Sequence, residues 1–106
     1  MKLKATKTMA AALNKAAAAA GAGMTFTLEK LPERTYAVMV DCDIYAAEDY
    51  GDYNYNTGLF QAIRVSYPAE YYAMDNWLTT KTMRRIYTPG DYLEQFTAKV
   101  LEAFAI

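Results

Sequence analysis

The sequence of 106 residues contains no histidine, one cysteine and one serine. Without histidine it lacks the usual general base at neutral pH, histidine-dependent triads and most zinc sites. Ser66 lacks the Gly-x-Ser-x-Gly context of a hydrolase nucleophile, and Cys42 stands between Asp41 and Asp43, whose charges disfavour the thiolate. The five glycines form no phosphate-binding loop and no dinucleotide fingerprint. We therefore predict that the protein is not an enzyme and needs no cofactor.

Further absences bear on location. A single cysteine allows no intramolecular disulfide, so nothing indicates an oxidising compartment. The N-terminal lysines and alanines lack the Leu/Ile/Val-rich run of a signal peptide. No stretch approaches the roughly 18 apolar residues of a membrane-spanning helix. The sequence thus predicts a soluble, cytoplasmic protein with no membrane partner.

The net charge is small, but positive and negative residues are distributed unevenly along the chain. A net charge of −1 argues against direct binding of duplex nucleic acid, which requires a basic patch. Residues 1–28 carry four lysines and no acid, whereas residues 35–63 carry five acids and no base. This polarity is compatible with a head-to-tail contact or an oriented partner, and equally with local solvation.

The spacing of apolar residues predicts one α+β domain over residues 1–106. Apolar residues recur at helical spacing near both ends of the chain and alternate at strand spacing between them. We expect an antiparallel sheet of three or four strands with an N-terminal helix and two C-terminal helices. The predicted elements are a helix at 5–20 stopped by Gly21, strands at 24–30 and 34–42 paired as a hairpin around a Pro32–Glu33 turn, strands at 59–67 and 70–74, and helices with N-terminal caps at Thr80 and Thr88.

The same periodicity assigns the core. Alanine is the best helix former, so the first helix is expected to present a small apolar face that packs closely. The predicted core residues of the other elements are Met24, Phe26 and Leu28, then Ile63, Val65 and Tyr67, then Met83, Ile86 and Tyr87, and finally Leu93, Phe96, Val100 and Phe104.

A stretch from Asp41 to Asn56 holds five carboxylates and four tyrosines, and no Lys or Arg occurs between Arg34 and Arg64. Its turn-forming residues predict an exposed excursion from the sheet. Along an extended chain, residues i and i+2 lie roughly 6.6–6.8 Å apart, of the same order as successive phosphates of a nucleic-acid strand. We therefore predict that it binds a basic surface of a partner protein, and blocks nucleic-acid access there. The predicted contact residues are Asp43, Tyr45, Glu48, Asp49, Asp52, Tyr53 and Tyr55.

The start of this stretch also resembles a calcium-binding loop in part. Asp41 and Asp43 supply the first two ligand positions. The pattern then fails at Tyr45, at Ala46 where glycine is required, and at Asp52 where the loop needs Glu. No metal site is predicted, and a loose oxygen-ligand site and simple solvation both stay open.

An alternative site combines Tyr71, Tyr72 and Trp77 with Arg84. Aromatic rings next to arginine can stack on bases and hold phosphates, so a nucleotide or another small ligand would suit them. The competing interpretation places these rings in the core and leaves Arg84 on the solvated side of a helix.

Self-association is compatible with either interpretation. Ten tyrosines exceed what a core of this size needs, and tyrosine is common at interfaces. Together with the predicted edge strand at 70–74 and the alanine-faced helix, this would suit a homodimer.

In outline, the chain resembles the small accessory proteins of phages and mobile elements of Gram-positive gut bacteria, a class that includes anti-CRISPR inhibitors of host defence. The shared features are small size, one α+β domain, no catalytic set and an acidic aromatic loop. The resemblance implies binding to a nucleic-acid-handling protein and assigns no individual residue.

Overall fold

The computed structural model describes residues 1–32, 52–54, 59–67 and 76–105. These ranges contain three helices and four antiparallel strands, and they confirm the predicted α+β class. In chain order the elements are α1 (Lys7–Ala20), β1 (Thr25–Pro32), β2 (Asp52–Asn54), β3 (Leu59–Ser66), β4 (Asn76–Leu78), α2 (Thr80–Ile86) and α3 (Leu93–Ala103).

Strand β3 is the centre of the sheet. One of its edges pairs with β1 from Thr25↔Ser66 to Pro32↔Leu59. Its other edge pairs with β2, in which Asp52 lies opposite Gln61, and with β4, in which Trp77 lies opposite Arg64. Since a strand has only two edges, β2 and β4 lie end to end along the same side of β3.

Several strand predictions change. Pro32 does not turn away from the sheet but is the last residue of β1, where a proline is tolerated because it ends the ladder. Asp52–Asn54, predicted as part of a loop, forms β2. The strands predicted at 34–42 and 70–74 lie outside the described residues, so only the first strand of the hairpin predicted for 24–42 is described, as β1.

Helix α1 begins at Lys7, two residues later than predicted, and ends at Ala20 before Gly21 as predicted. The hydroxyl of Thr6 accepts a hydrogen bond from the Met9 N–H (3.1 Å), which satisfies one of the free donors of the first turn. Gly21 ends the helix in the left-handed conformation (φ 65°), which glycine adopts without a Cβ clash. The buried face consists of Met9, Ala10, Leu13 and Ala17.

The helices cover one face of the sheet. Helix α1 contacts β1 and α3, and α3 also contacts α2. The buried cluster beneath them comprises Ala5, Met9, Ala10, Leu13, Ala17, Phe26, Ile63, Val65, Leu78, Met83, Phe96 and Val100. Most of the predicted core residues belong to it or pack against it, and Phe104 accepts a hydrogen bond on its carbonyl from the Tyr67 hydroxyl (2.9 Å).

Leu93 is the exception, because it is 45% exposed. It is the first residue of α3, and the buried residues of that helix begin one turn later at Phe96. The helical period placed it correctly on the apolar side but could not show that the covering layer ends before it.

The predicted caps of the two C-terminal helices are both displaced. The N-cap of α2 is Thr79 rather than Thr80, and its hydroxyl accepts from the Thr82 N–H (3.2 Å). Helix α3 begins at Leu93 rather than after Thr88, and the Gln95 side chain accepts from the Tyr92 N–H (2.7 Å).

Residues Thr88 to Asp91 form a turn before α3. The Asp91 carboxylate accepts from the Thr88 N–H and lies 2.8 Å from the Lys99 ammonium. That ammonium group and the Thr88 N–H stabilise the charged carboxylate and lower the pKa of Asp91 below its usual value. The turn is thereby tied to the second turn of the helix that follows.

A side chain from α1 forms hydrogen bonds with the edge of β1 that faces away from β3. Asn14 accepts from the Phe26 N–H (2.7 Å) and donates to the Phe26 carbonyl (2.8 Å). In an antiparallel ladder alternate residues direct both backbone groups away from the partner strand, so one amide side chain can bond both. Asn14 therefore occupies the position on the sheet edge that a further strand would otherwise use.

Candidate functional site

Around Arg64, the face of the sheet opposite the helices is polar, whereas Ala62 on the same face is fully buried. Residues of β3 alternate, so Ile63 and Val65 point into the core while Arg64 points the other way. Thr27 lies opposite Arg64 on β1 and is exposed, and Trp77 lies opposite it on β4 and is half-buried. Arg64 is thus the central residue of a surface that we call the polar face, formed by Thr25, Thr27, Glu29, Arg64, Ser66 and Trp77.

Arg64 makes two directional contacts across this face. Its guanidinium carbon lies 5.3 Å from the centre of the Trp77 ring, within the range of a cation–π interaction. Its Nη1 atom lies 3.8 Å from the Glu29 carboxylate, which occupies the diagonal position on β1. The Arg64 and Glu29 side chains are about equally exposed, at 30% and 29%. These three side chains therefore present a cation, an acid and an indole ring on three neighbouring strands.

Local sequence explains why Trp77 is held firmly. Asn76–Leu78 pairs with Ile63–Val65 of β3, and Leu78 enters the core opposite Ile63. The buried Thr79 follows at once and caps α2. Trp77 is therefore fixed by a buried residue on its C-terminal side and by the ladder to β3.

Most of the predicted partner-binding residues lie outside the described part of the chain, namely Asp43, Tyr45, Glu48, Asp49 and Tyr55. Asp52 and Tyr53 belong to β2, where their backbones pair with Gln61 and Phe60. Gln61 and Arg64 are three residues apart on β3, which corresponds to about 10 Å along a strand. Asp52–Asn54 of the acidic stretch therefore pairs with the same edge of β3 as Trp77.

In the alternative ligand site, a different arginine from the predicted one contacts the tryptophan ring. Trp77 lies in β4, but the arginine that contacts its ring is Arg64, whereas Arg84 is exposed on α2. Tyr71 and Tyr72 lie outside the described residues. The prediction from sequence missed Arg64 because it paired Trp77 with the arginine that follows it in the chain. The available signal was a single charged residue between two apolar ones in a strand, but the cross-strand register was needed to place it beside an aromatic ring.

The described ranges contain no group of three or more His, Cys, Asp or Glu side chains arranged to hold a metal ion. In the same ranges no helix has the length and the apolar character needed to cross a membrane.

No family model matches the sequence, and neither the curated proteins nor the solved structures contain a match. The residues of the chain are therefore the basis of the function proposed below.

Proposed function

We propose that this protein is a non-enzymatic protein-binding module, in which the acidic tyrosine-rich stretch Asp41–Asn56 contacts a basic surface of a partner protein. The observation that carries the proposal is β2, which pairs Asp52–Asn54 of the stretch with the central strand of the sheet. A binding segment gains affinity when a rigid scaffold positions it, because less freedom is lost on association.

The chemistry of the stretch indicates the kind of partner. Five carboxylates without a neighbouring base favour a cationic surface, and four tyrosines add contact area at low entropic cost. A groove that normally holds nucleic acid has such a surface. The finer form of the proposal is an inhibitor of a nucleic-acid-handling protein of host defence, acting in the cytoplasm, in line with the resemblance noted above.

The partner can be identified by affinity capture from a bacterial lysate, with and without nuclease, followed by mass spectrometry. Affinity for the captured protein is then measured for Glu48→Gln/Asp49→Asn, which leaves β2 intact. Each exposed ion pair contributes about 0.2–1 kcal/mol, so for the two pairs we expect the dissociation constant to rise about twofold to thirtyfold and its salt dependence to decrease.

A matched control is Glu94→Gln/Glu102→Gln, which removes two exposed charges from α3. We expect this variant to bind like the parent protein. Equal affinities for the two double variants would refute the assignment of binding to the acidic stretch.

A second candidate function is the binding of a nucleotide or another planar anion at the polar face. The contact between Arg64 and Trp77 favours it, since an indole and a guanidinium group can both stack on a base. A ligand at 100 times its dissociation constant would add about 2.7 kcal/mol to the stability. A thermal shift with nucleotides that Trp77→Leu abolishes would support this function, and the absence of any shift would favour the protein partner.

Light scattering on the same samples tests the predicted homodimer. If the protein is dimeric, the binding measurements have to be expressed per dimer.

A further inference from the structure

A second candidate binding surface is a cleft whose lining residues belong neither to the polar face nor to the acidic stretch. The N-terminal residues, the first half of α1 and the start of α3 enclose a cleft of about 390 Å³. Its apolar lining includes Met1, Met9, Ala12 and Leu93, and its charged side chains are those of Lys2 and Lys4. This volume is near the lower end of the range for small-molecule sites, roughly 300–1,000 Å³.

Exposed apolar surface is concentrated at this cleft. In the described part of the chain the exposed large hydrophobic residues are Met1, Tyr92 and Leu93, at 54%, 76% and 45%. Met1 and Leu93 line the cleft, and the third, Tyr92, directly precedes Leu93 in the sequence. Apolar side chains left in water at a concave site typically mark a binding surface.

The charge at the cleft has one sign. Lys2 and Lys4 are exposed, and no described residue that lines the cleft carries a carboxylate. The first turn of α1 contains no acid either, and Lys7 lies in it. Glu94 follows Leu93 in sequence but is not among the lining residues. A ligand with a negative head group and an apolar body would match both features.

We propose that the cleft binds a small anionic amphiphile, a monocarboxylate with one short apolar chain. The apolar chain packs against Met9, Ala12 and Leu93, and the carboxylate lies near the ammonium groups of Lys2 and Lys4. The small volume favours a short free ligand, and the lysines select against a cationic head group. This site shares no residue with the acidic stretch or the polar face, so it does not depend on the function proposed above.

Three probes with the same eight-carbon tail separate the contributions. Octanoate, 1-octanol and octylammonium are each titrated into the isotopically labelled protein, and amide shifts of Met9, Ala12 and Leu93 are followed by NMR. We expect octanoate to bind most tightly, 1-octanol more weakly and octylammonium least. We also expect added salt to weaken the binding of octanoate alone.

Variants locate the two ends of the ligand. Lys2→Gln/Lys4→Gln should raise the dissociation constant of octanoate about threefold to tenfold and leave that of 1-octanol unchanged. Leu93→Gln should weaken octanoate and 1-octanol alike. Lys15→Gln is the control, because Lys15 is exposed on α1 outside the lining and should have no effect.

The proposal is overturned if octanoate does not shift the cleft amides, or if all three probes bind equally. It is also overturned if the double lysine variant behaves like Lys15→Gln.

Discussion

The two faces of the central strand use different means to hold the same three strands together. On one face Ile63 and Val65 are fully buried beneath the helices. On the other face Arg64, which lies between them in sequence, makes a cation–π contact with Trp77 and an ion pair with Glu29. The first face is stabilised by the removal of apolar surface from water, and the second by a few directional pairs at partly exposed sites.

This difference separates stability from recognition. Burial of a core side chain stabilises the fold by roughly 1.5–3 kcal/mol. This stabilisation is lost when a substitution changes the size or shape of the side chain. Exposed ion pairs contribute about 0–1 kcal/mol, so residues at the polar face can be exchanged at little cost to the fold. Side chains that recognise a partner can therefore vary there, while the helical face keeps the structure.

The largest effect should come from two neighbouring residues of β1 that point to opposite faces. Phe26 is buried and Thr27 is exposed. We expect Phe26→Ala to lower the free energy of unfolding by about 3–5 kcal/mol, because it loses apolar burial and leaves a cavity. Thr27→Ala should change it by no more than about 0.5 kcal/mol. Urea denaturation measures both, and losses of similar size would contradict the assignment of the two faces.

The helical face could be predicted from sequence because it depends on local periods. Alternation in β1 and β3 identified Phe26, Ile63 and Val65, and the 3.6-residue period identified Phe96 and Val100. These patterns require no knowledge of which strands pair. The same logic failed at Leu93, since a period does not show where the covering layer ends.

The polar face could not be predicted in this way, because its contacts depend on register. Trp77 meets Arg64 only because β4 pairs with Ile63–Val65, whereas the sequence pointed to the nearby Arg84. The bond between Asn14 and Phe26 likewise depends on where α1 docks on the edge of β1. Neither an amide on a helix nor a charge within a strand specifies its partner before the tertiary structure is known.

A smaller effect is expected from this edge contact. Asn14→Ala removes both side-chain partners of the Phe26 backbone, and each unsatisfied group costs about 1–3 kcal/mol unless water reaches it. Because both hydrogen bonds are only partly buried, water replaces part of the lost bonding, and we expect a loss of about 1–3 kcal/mol in all and faster hydrogen exchange at the Phe26 amide. The neighbouring Lys15→Ala serves as the control. Unchanged exchange at Phe26 in Asn14→Ala would show that the contact does not protect the edge.

A smaller effect still is expected for the coupling between Arg64 and Trp77. A double-mutant cycle with Arg64→Met and Trp77→Leu isolates this pair from the other contacts that each residue makes. A cation–π pair contributes about 0.5–1 kcal/mol when exposed and about 2 kcal/mol when desolvated. Because the Arg64 side chain is 30% exposed, we expect a coupling energy between about 0.5 and 2 kcal/mol, measured by urea denaturation.

The same cycle repeated with Glu29→Gln and Arg64→Met gives the ion pair on the other side of Arg64 for comparison. At 3.8 Å and partial exposure it should be weaker than the ring contact and should fade in high salt. A larger coupling to Glu29 than to Trp77 would mean that Arg64 is held mainly by charge. The indole ring would then be positioned by β4 alone, and Arg64 and Trp77 would not be a preformed unit for recognising a ligand.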